Sequence, residues 1–289
     1  EVVDELKLIR QKEVQNKNMA FSLDIIRSFQ ISDLLDTDEL SLLPYNEGNY
    51  IILQIFFDTP QKKSLYSIKQ ELFHLFELYC KESPSVLFSA VFFNINGELC
   101  IICSVNESWP LIRQVNFQIQ NYPDDMVSVF YGTGNTLKSI YELSRKILSI
   151  SDIRIIRSCR MATNIDTLQS IEELPQLLLL CHEIDSFVSH ALAGNRESMR
   201  IQTAALSTND TLDSIFQSID HSKLYLYLEH ILEIKLYTKT YQGFIAEMYH
   251  KTCLLLDNRR NPSFDITAVK DFVYKNYETD VSISHISEY

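Results

Sequence analysis

The chain has 289 residues, of which 46% are hydrophobic and 22% charged, and its formal net charge is −12. A chain of this length can bury two or more cores, and its acidic balance argues against these residues forming a nucleic-acid surface by themselves. No apolar run approaches the roughly 18 residues of a membrane span, and no basic-then-apolar signal segment opens the chain, so we expect a cytoplasmic protein or the cytoplasmic part of a membrane-anchored one.

Residues 1–48 are predicted to form a helical connector. Apolar residues recur at helical spacing from Val2 to about Leu35, around a polar middle from Arg10 to Asn18. Two interpretations stay open: a short coiled coil that pairs two protomers and passes on an upstream signal, or a helix that lies on its own domain.

A change of period after Gly48 predicts an α+β domain over residues 49–165, with one sheet covered by helices. Its strands are predicted at 51–57, 86–93, 98–105, 126–131 and 153–156, and its helices at about 61–81, 109–120 and 137–148. The turn Asn94-Ile95-Asn96-Gly97 predicts a hairpin because Asn-Gly tolerates positive φ. Gly132-Thr133-Gly134 is predicted to be a second turn.

Residues 166–256 are predicted to form an all-helical domain, with Gly194 as a C-cap and helices that include 197–206, 212–219, 224–237 and 242–255. Several tyrosines at helical spacing favour core positions, with a ligand groove or an interface as the alternative: Tyr225, Tyr227, Tyr237, Tyr241 and Tyr249. Residues 257–263 are predicted to be a linker because they are polar and contain Pro262.

The metal-binding residue types give no metal motif, and no cofactor is expected. Six scattered cysteines are typical of buried thiols in a reducing compartment: Cys80, Cys100, Cys103, Cys159, Cys181 and Cys253. Cys100 and Cys103 form a lone C-x-x-C, but residues three apart on a strand face opposite sides, so core thiols are favoured over a redox or metal pair. Five histidines of the helical region lack zinc-binding spacing: His182, His190, His221, His230 and His250.

The hairpin Asn96-Gly97-Glu98-Leu99-Cys100, the strand Val127 to Gly132 and the helix that follows resemble the GGDEF domain of diguanylate cyclases over roughly residues 49–160. The resemblance implies a signature whose glycines admit a nucleotide and whose acids bind the activating metal. Here Asn96 replaces the first glycine, Leu99 the second acid and Cys100 the phenylalanine. Phe56 or Phe57 stands where a further acid is usual, although Asp58 could mimic one ligand. Two-metal chemistry is therefore not expected, and we interpret Asn96, Gly97 and Glu98 as a degenerate GGDEF hairpin on a scaffold, with small-ligand binding as the alternative.

Residues 264–289 hold a predicted helix, a polar break and the start of a second helix. The pattern Val269, Phe272, Val273, Asn276, Tyr277, Asp280, Val281, Ser282, Ile283 resembles the start of the DNA-binding domain of AraC/XylS-type regulators. The resemblance implies a helix-turn-helix whose recognition helices would lie beyond Tyr289, so the DNA-binding residues are unknown.

Together, the order connector, degenerate GGDEF-like domain, helical domain, linker and AraC-type segment predicts the regulatory and dimerisation region of a bacterial transcription regulator, with no catalysis. Expected partners are DNA through the C-terminal domain, a second copy of the chain, and an upstream receiver or membrane sensor. The alternative is a nucleotide or small-ligand receptor built on the GGDEF-like domain. A third hypothesis is that the helical domain senses a small effector.

Overall fold

The computed structural model describes residues 2–30, 47–57, 62–122, 127–157 and 161–260. Within these ranges it contains ten α-helices and one five-stranded sheet. The strands are β1 (Glu47–Phe57), β2 (Val86–Phe93), β3 (Leu99–Val105), β4 (Val127–Thr136) and β5 (Thr163–Asn164). The helices are α1 (Val2–Gln30), α2 (Lys62–Glu82), α3 (Trp109–Ile119), α4 (Leu137–Ile150), α5 (Ile165–Gln169), α6 (Leu174–Leu192), α7 (Arg196–Ser207), α8 (Asp210–Ser218), α9 (His221–Leu232) and α10 (Tyr241–Arg260).

The sheet has the order β2-β3-β1-β4-β5, in which the first four strands are antiparallel and β5 runs parallel to β4. With α2 and α3 as the connections, β1 to β4 form a β-α-β-β-α-β unit with β1 in the centre. The expected mixture of helices with one sheet is therefore confirmed.

Strand β1 is buried on both faces, which explains its nearly unbroken apolar run. Ile51 and Leu53 pack with α2 and α3 on one face of the sheet. Ile52 and Phe56 pack with α1 and α4 on the other. The alternation follows from the two-residue period of a strand and gives the sheet two covered faces.

Helix α1 lies on its own sheet over its second half. Phe21, Ile25 and Phe29 are buried against the face that also carries α4. The side chain of Asn18 accepts a hydrogen bond from the amide of Ser89 in β2, at 3.0 Å. The described side chains between residues 12 and 17 are exposed. The second half of α1 thus lies on its own domain, as one of the two interpretations expected. Pairing of the first half with a second copy of the chain remains a prediction.

The helical region from α6 to α10 shares one apolar core with the α1/α4 face of the sheet. The two regions meet at a short 3-10 helix, Ser151–Ile155, which contacts α6 and α9. Ile153 and Ile155 are buried there. Packing therefore runs without a break from Phe21 in α1 to Leu256 in α10.

The predicted role of Gly194 at a helix end is confirmed. It follows Ala193, the C-cap of α6, and has a φ of +67°. The next residue, Asn195, caps α7 by accepting a hydrogen bond from the amide of Ser198 at 3.1 Å. The polar break between these two helices is thus specified locally.

The predicted turn at Gly132-Thr133-Gly134 is wrong, because β4 continues through it to Thr136 and pairs with β1. The glycines serve close packing instead. A Cβ at Gly132 would lie 3.1 Å from the Leu143 side chain, and one at Gly134 would overlap the Ser139 hydroxyl.

The predicted strand at 153–156 is also wrong, because these isoleucines lie in and just after the 3-10 helix. A short buried apolar run does not distinguish strand from helix.

The expected helix 224–237 ends at Leu232, where Glu233 adopts a φ of 59° and an irregular segment follows. Residues 257–260, expected in the linker, form the last turn of α10. Residues 261–263 of the linker and the AraC-like segment 264–289 lie outside the described residues.

Candidate functional site: the β2–β3 hairpin

The β2–β3 turn forms at the predicted residues, and the side chain of Asn94 holds it. The carboxamide oxygen of Asn94 accepts hydrogen bonds from the amides of Asn96 and Glu98, at 3.1 and 3.0 Å. The amide of Gly97 donates to the Asn94 carbonyl at 3.0 Å, and Gly97 has a φ of +78°. An Asn that bonds the backbone two residues on is a known turn former, so its position before the Asn-Gly pair was the available signal.

A lysine from α2 completes the turn. The ammonium group of Lys69 donates to the carbonyl of Gly97 at 2.6 Å and lies 5.1 Å from the ring centre of Phe57. This is a charge-assisted hydrogen bond combined with a cation–π contact. Sequence reasoning missed Lys69 because it lies 28 residues from Gly97 and nothing local marks it.

Of the three predicted hairpin residues, Asn96 is exposed, and Gly97 and Glu98 are half-buried. One carboxylate oxygen of Glu98 is buried and has no hydrogen-bond partner. The structure therefore brings the three residues into one turn, with Glu98 directed inward.

The positions expected for metal-binding acids hold apolar side chains. Leu99, in place of the second acid, is fully buried in the α2/α3 core. Phe56 is buried, and the guanidinium of Arg154 lies 5.2 Å from its ring centre. Phe57 carries Lys69 over its ring. Asp58 lies outside the described residues. Cations over rings repel a divalent metal, so the described part of this site does not fit the two-metal chemistry of a cyclase.

A cavity of about 60 Å³ lies behind the hairpin on the α1/α4 face. Gln54, 1% exposed, lines it; its amide nitrogen donates to the hydroxyl of Ser144 at 2.9 Å and contacts the Cys100 sulfur at 3.6 Å. The carboxamide oxygen of Gln54 has no partner. The cavity thus offers a buried acceptor to a donor group of water or of a small ligand.

The C-x-x-C cysteines face opposite sides of β3, as predicted. Cys100 lies in the α1/α4 core, where burial raises the pKa of its thiol to about 12. Cys103 lies in the α2/α3 core, with its sulfur 3.6 Å from that of Cys80. Core positions are confirmed for both and for Cys80 and Cys181, whereas Cys253 is half-buried and Cys159 lies outside the described residues.

The tyrosines of the helical region divide between core and surface. Tyr227 and Tyr241 are buried, and their hydroxyls bond to Asp185 and to the Leu206 carbonyl. Tyr237 is 69% exposed. The core interpretation is confirmed for the first two and wrong for Tyr237. Tyr225 and Tyr249 are half-buried.

Two other features, a metal centre and a membrane-spanning helix, are absent from the ranges that the structure describes. These ranges gather no group of three or more His, Cys, Asp and Glu side chains suited to a metal ion. Their helices likewise lack the combined length and apolarity that a bilayer crossing needs.

Comparison with known proteins finds no similar family, no similar characterised protein and no similar solved structure. The resemblances of the hairpin and of residues 264–289 therefore depend on the residues themselves.

Proposed function

We propose that this chain is the regulatory and dimerisation region of a bacterial DNA-binding transcription regulator. It relays an upstream signal, received through α1, to a C-terminal helix-turn-helix domain that begins in residues 264–289. The proposal keeps the sheet as a scaffold without catalysis. The positions where the resemblance implies carboxylates hold Leu99, Phe56 and Phe57, and the cations of Lys69 and Arg154 lie over the two phenylalanine rings.

The observation that carries the proposal is the single core that joins α1 to α10. Phe21, Ile25 and Phe29 of α1 belong to the same apolar cluster as Met248 and Leu256 of α10. Close-packed interiors transmit displacement rather than absorb it. A shift of α1 on the sheet therefore favours a different position of α10, which ends at Arg260, three linker residues before the segment that resembles a DNA-binding domain.

A DNA mobility shift tests the proposal. The fragment 1–289 and a form extended through the complete C-terminal domain are compared on the native promoter region at two salt concentrations. We expect only the extended form to bind specifically, with affinity falling as salt rises, because phosphate contacts release counterions. Absence of binding by both forms, in every activation state of the upstream partner, contradicts the proposal.

The relay is tested separately with two α1 variants of the extended form. Ile25→Val removes one methylene from a fully buried side chain, whereas Leu23→Val makes the same type of change at a side chain that is 62% exposed. We expect Ile25→Val to alter DNA affinity and Leu23→Val to leave it unchanged. Equal affinities for both variants contradict a relay through this core.

The alternative is a nucleotide or small-ligand receptor on the sheet domain. One observation favours a small ligand, namely the unpaired carboxamide oxygen of Gln54, which lines the cavity behind the hairpin; at about 60 Å³ this cavity is too small for a nucleotide. Calorimetric titration with GTP and cyclic di-GMP, with and without magnesium, distinguishes the two functions. Tight, magnesium-dependent binding would favour a nucleotide receptor. Absence of heat with every nucleotide would count against it.

A further inference from the structure

A second cleft, of about 460 Å³, lies at the opposite end of the sheet from the hairpin. Three segments that are distant in sequence form it: the start of β1, the stretch from the end of β3 to the first residue of α3, and the end of β4. Its volume falls in the range of about 300–1,000 Å³ that is usual for small-molecule pockets. The side chains that matter here are Asn49, Asn106, Glu107, Trp109, Thr133 and Asn135.

The backbone around this cleft is shaped by specific features rather than by loose loops. The pairing of β1 with β4 is irregular between Glu47 and Tyr50, which places Asn49 outside the regular ladder. Gly134 lets β4 approach the Ser139 hydroxyl of the following helix cap. Bulges and glycines of this kind re-aim side chains at sheet ends and occur often beside functional sites.

Trp109 is the only tryptophan of the chain, and it is 66% exposed at the cleft. It is the first residue of α3 and precedes Pro110, so its backbone is held by a helix whose core-facing residues, such as Leu111, are buried. The indole offers a flat apolar face and one N–H donor, and only two side-chain torsions have to be ordered when a ligand binds.

The polar groups of the cleft are mostly neutral and can both donate and accept. Three carboxamides come from Asn49, Asn106 and Asn135, and hydroxyls from Thr133 and Ser108, whose side chain makes no helix-capping bond. The lining has one carboxylate, that of Glu107, and neither lysine nor arginine. With a net charge of −12 on the chain, this lining disfavours phosphates and carboxylates as ligands.

We propose that this cleft binds a neutral carbohydrate, a pyranose sugar alone or at the end of a short oligosaccharide. A pyranose combines a flat C–H face, which packs on an indole, with hydroxyls that both donate and accept. The Trp109 ring takes the C–H face, and the carboxamides of Asn106 and Asn135 take the hydroxyls. This inference goes beyond the proposed function and does not depend on it, because the cleft lies away from the hairpin and from α10.

The single tryptophan makes the test direct, because emission excited at wavelengths that the fifteen tyrosines do not absorb comes from Trp109 in this cleft. Neutral hexoses (glucose, galactose, mannose) and disaccharides (maltose, cellobiose, lactose) are titrated to millimolar concentrations. We expect a saturable change of emission with at least one of them. Asn106→Ala and Asn135→Ala should each weaken that binding tenfold or more without changing Tm, because both side chains are exposed.

The role of the indole is tested by saturation-transfer NMR on the bound sugar, which needs no tryptophan. Trp109→Ala should abolish the transfer and Trp109→Phe should retain part of it. Phe117→Ala is the matched control, because it removes an aromatic side chain that is 63% exposed on the same helix but outside the cleft.

Three results would overturn the proposal. The first is that no sugar of the panel gives a saturable change. The second is that binding survives both asparagine variants. The third is that tetramethylammonium saturates the fluorescence change while the sugars do not, which would make the cleft a cation site built on Trp109 and Glu107.

Discussion

The Asn18 side chain in α1 and the Ser89 amide in β2 are joined by a hydrogen bond of 3.0 Å. Strand β2 is an edge of the sheet, and edge strands present unpaired amides to other chains. Asn18 therefore fixes α1 on the sheet and at the same time satisfies an edge donor.

Replacing Asn18 with alanine should lower the free energy of unfolding by about 1 kcal/mol, because one hydrogen bond to a half-buried donor is lost. Urea denaturation followed by circular dichroism measures the loss. The control is Asn16→Ala, at an exposed position of the same helix. It has the same gain in helix propensity without the loss of a hydrogen bond, so the difference between the two variants measures the bond. Equal midpoints for both variants would show that the Ser89 amide gains nothing from Asn18.

Gly194→Ala should destabilise the protein by about 1 kcal/mol through the backbone alone, since an alanine would have to keep a left-handed conformation. Nothing lies within 4 Å of the added Cβ, so no steric cost contributes. Gly194→Asn should cost less, because asparagine tolerates this conformation. Thermal unfolding that ranks alanine at or above asparagine would contradict this origin of the cost.

Gly134→Ala should be destabilising for a different reason. Its Cβ would overlap the Ser139 hydroxyl, which accepts a hydrogen bond from the Thr136 amide in the capping box of α4. We expect a loss of at least about 1 kcal/mol, the usual value of a helix cap. In the double variant with Ser139→Ala the obstructing hydroxyl is absent, so the added cost of Gly134→Ala should shrink. Strict additivity in this double-mutant cycle would count against the overlap.

Glu247 should increase the loss of folding stability as the pH falls below about 4.5. Burial disfavours its charge, but hydrogen bonds from Lys251, from the Thr238 hydroxyl, and from the amides of Tyr237 and Thr238 outweigh burial and lower its pKa to about 2. A lowered pKa means that the unfolded state binds the proton more readily. The stabilisation is therefore complete above about pH 4.5 and is lost as the pH falls toward 2.

Glu247→Gln should lower Tm at pH 7 and flatten its fall between pH 4.5 and 2. Glu197→Gln is the control, because Glu197 pairs with Arg200 at the exposed surface, where ion pairs contribute little. The measurement is Tm by scanning calorimetry across this pH range. Parallel profiles for Glu247→Gln and the unsubstituted protein would rule out this carboxylate as the titrating group.

The thiols should differ sharply in reactivity. Burial raises the pKa of Cys100 to about 12, and burial also holds the pKa of Cys181 well above its usual range. The contact with Cys80, together with burial, raises the pKa of Cys103. In a Cys159→Ser background, Ellman's reagent should therefore modify only the half-buried Cys253 in the native protein. The remaining four cysteines should react after denaturation in urea. Modification of two or more thiols under native conditions would contradict this burial.

The parts of the fold that the sequence predicts correctly are those with local causes. The apolar run of β1, the Asn-Gly turn and Gly194 each carry their own signal within a few residues. The glycines of β4 led to the wrong prediction of a turn. Glycine is needed there because the side chains of Leu143 and Ser139, in the next helix, lie too close for a Cβ. A glycine that admits a neighbour and one that reverses the chain look alike in sequence.

The candidate sites show the same limit. Asn96, Gly97 and Glu98 were found because they are consecutive, whereas Lys69 reaches Gly97 from another helix. Gln54 is the single polar residue in the apolar run 51–57, and its unpaired oxygen becomes visible only when Ser144 and Cys100 are in place. Such sites depend on long-range packing, which no spacing rule predicts.

The central place of β1 also has a consequence for synthesis on the ribosome. Its two neighbours, β3 and β4, both follow it in the chain, and β4 ends only at Thr136. At roughly 5–20 residues per second, the nascent strand Tyr50–Phe57 waits seconds for its partners. During that interval it is an unpaired segment rich in isoleucine and phenylalanine, the kind that aggregates most readily. The yield of folded protein in cells should therefore rise with the level of chaperones that bind nascent chains.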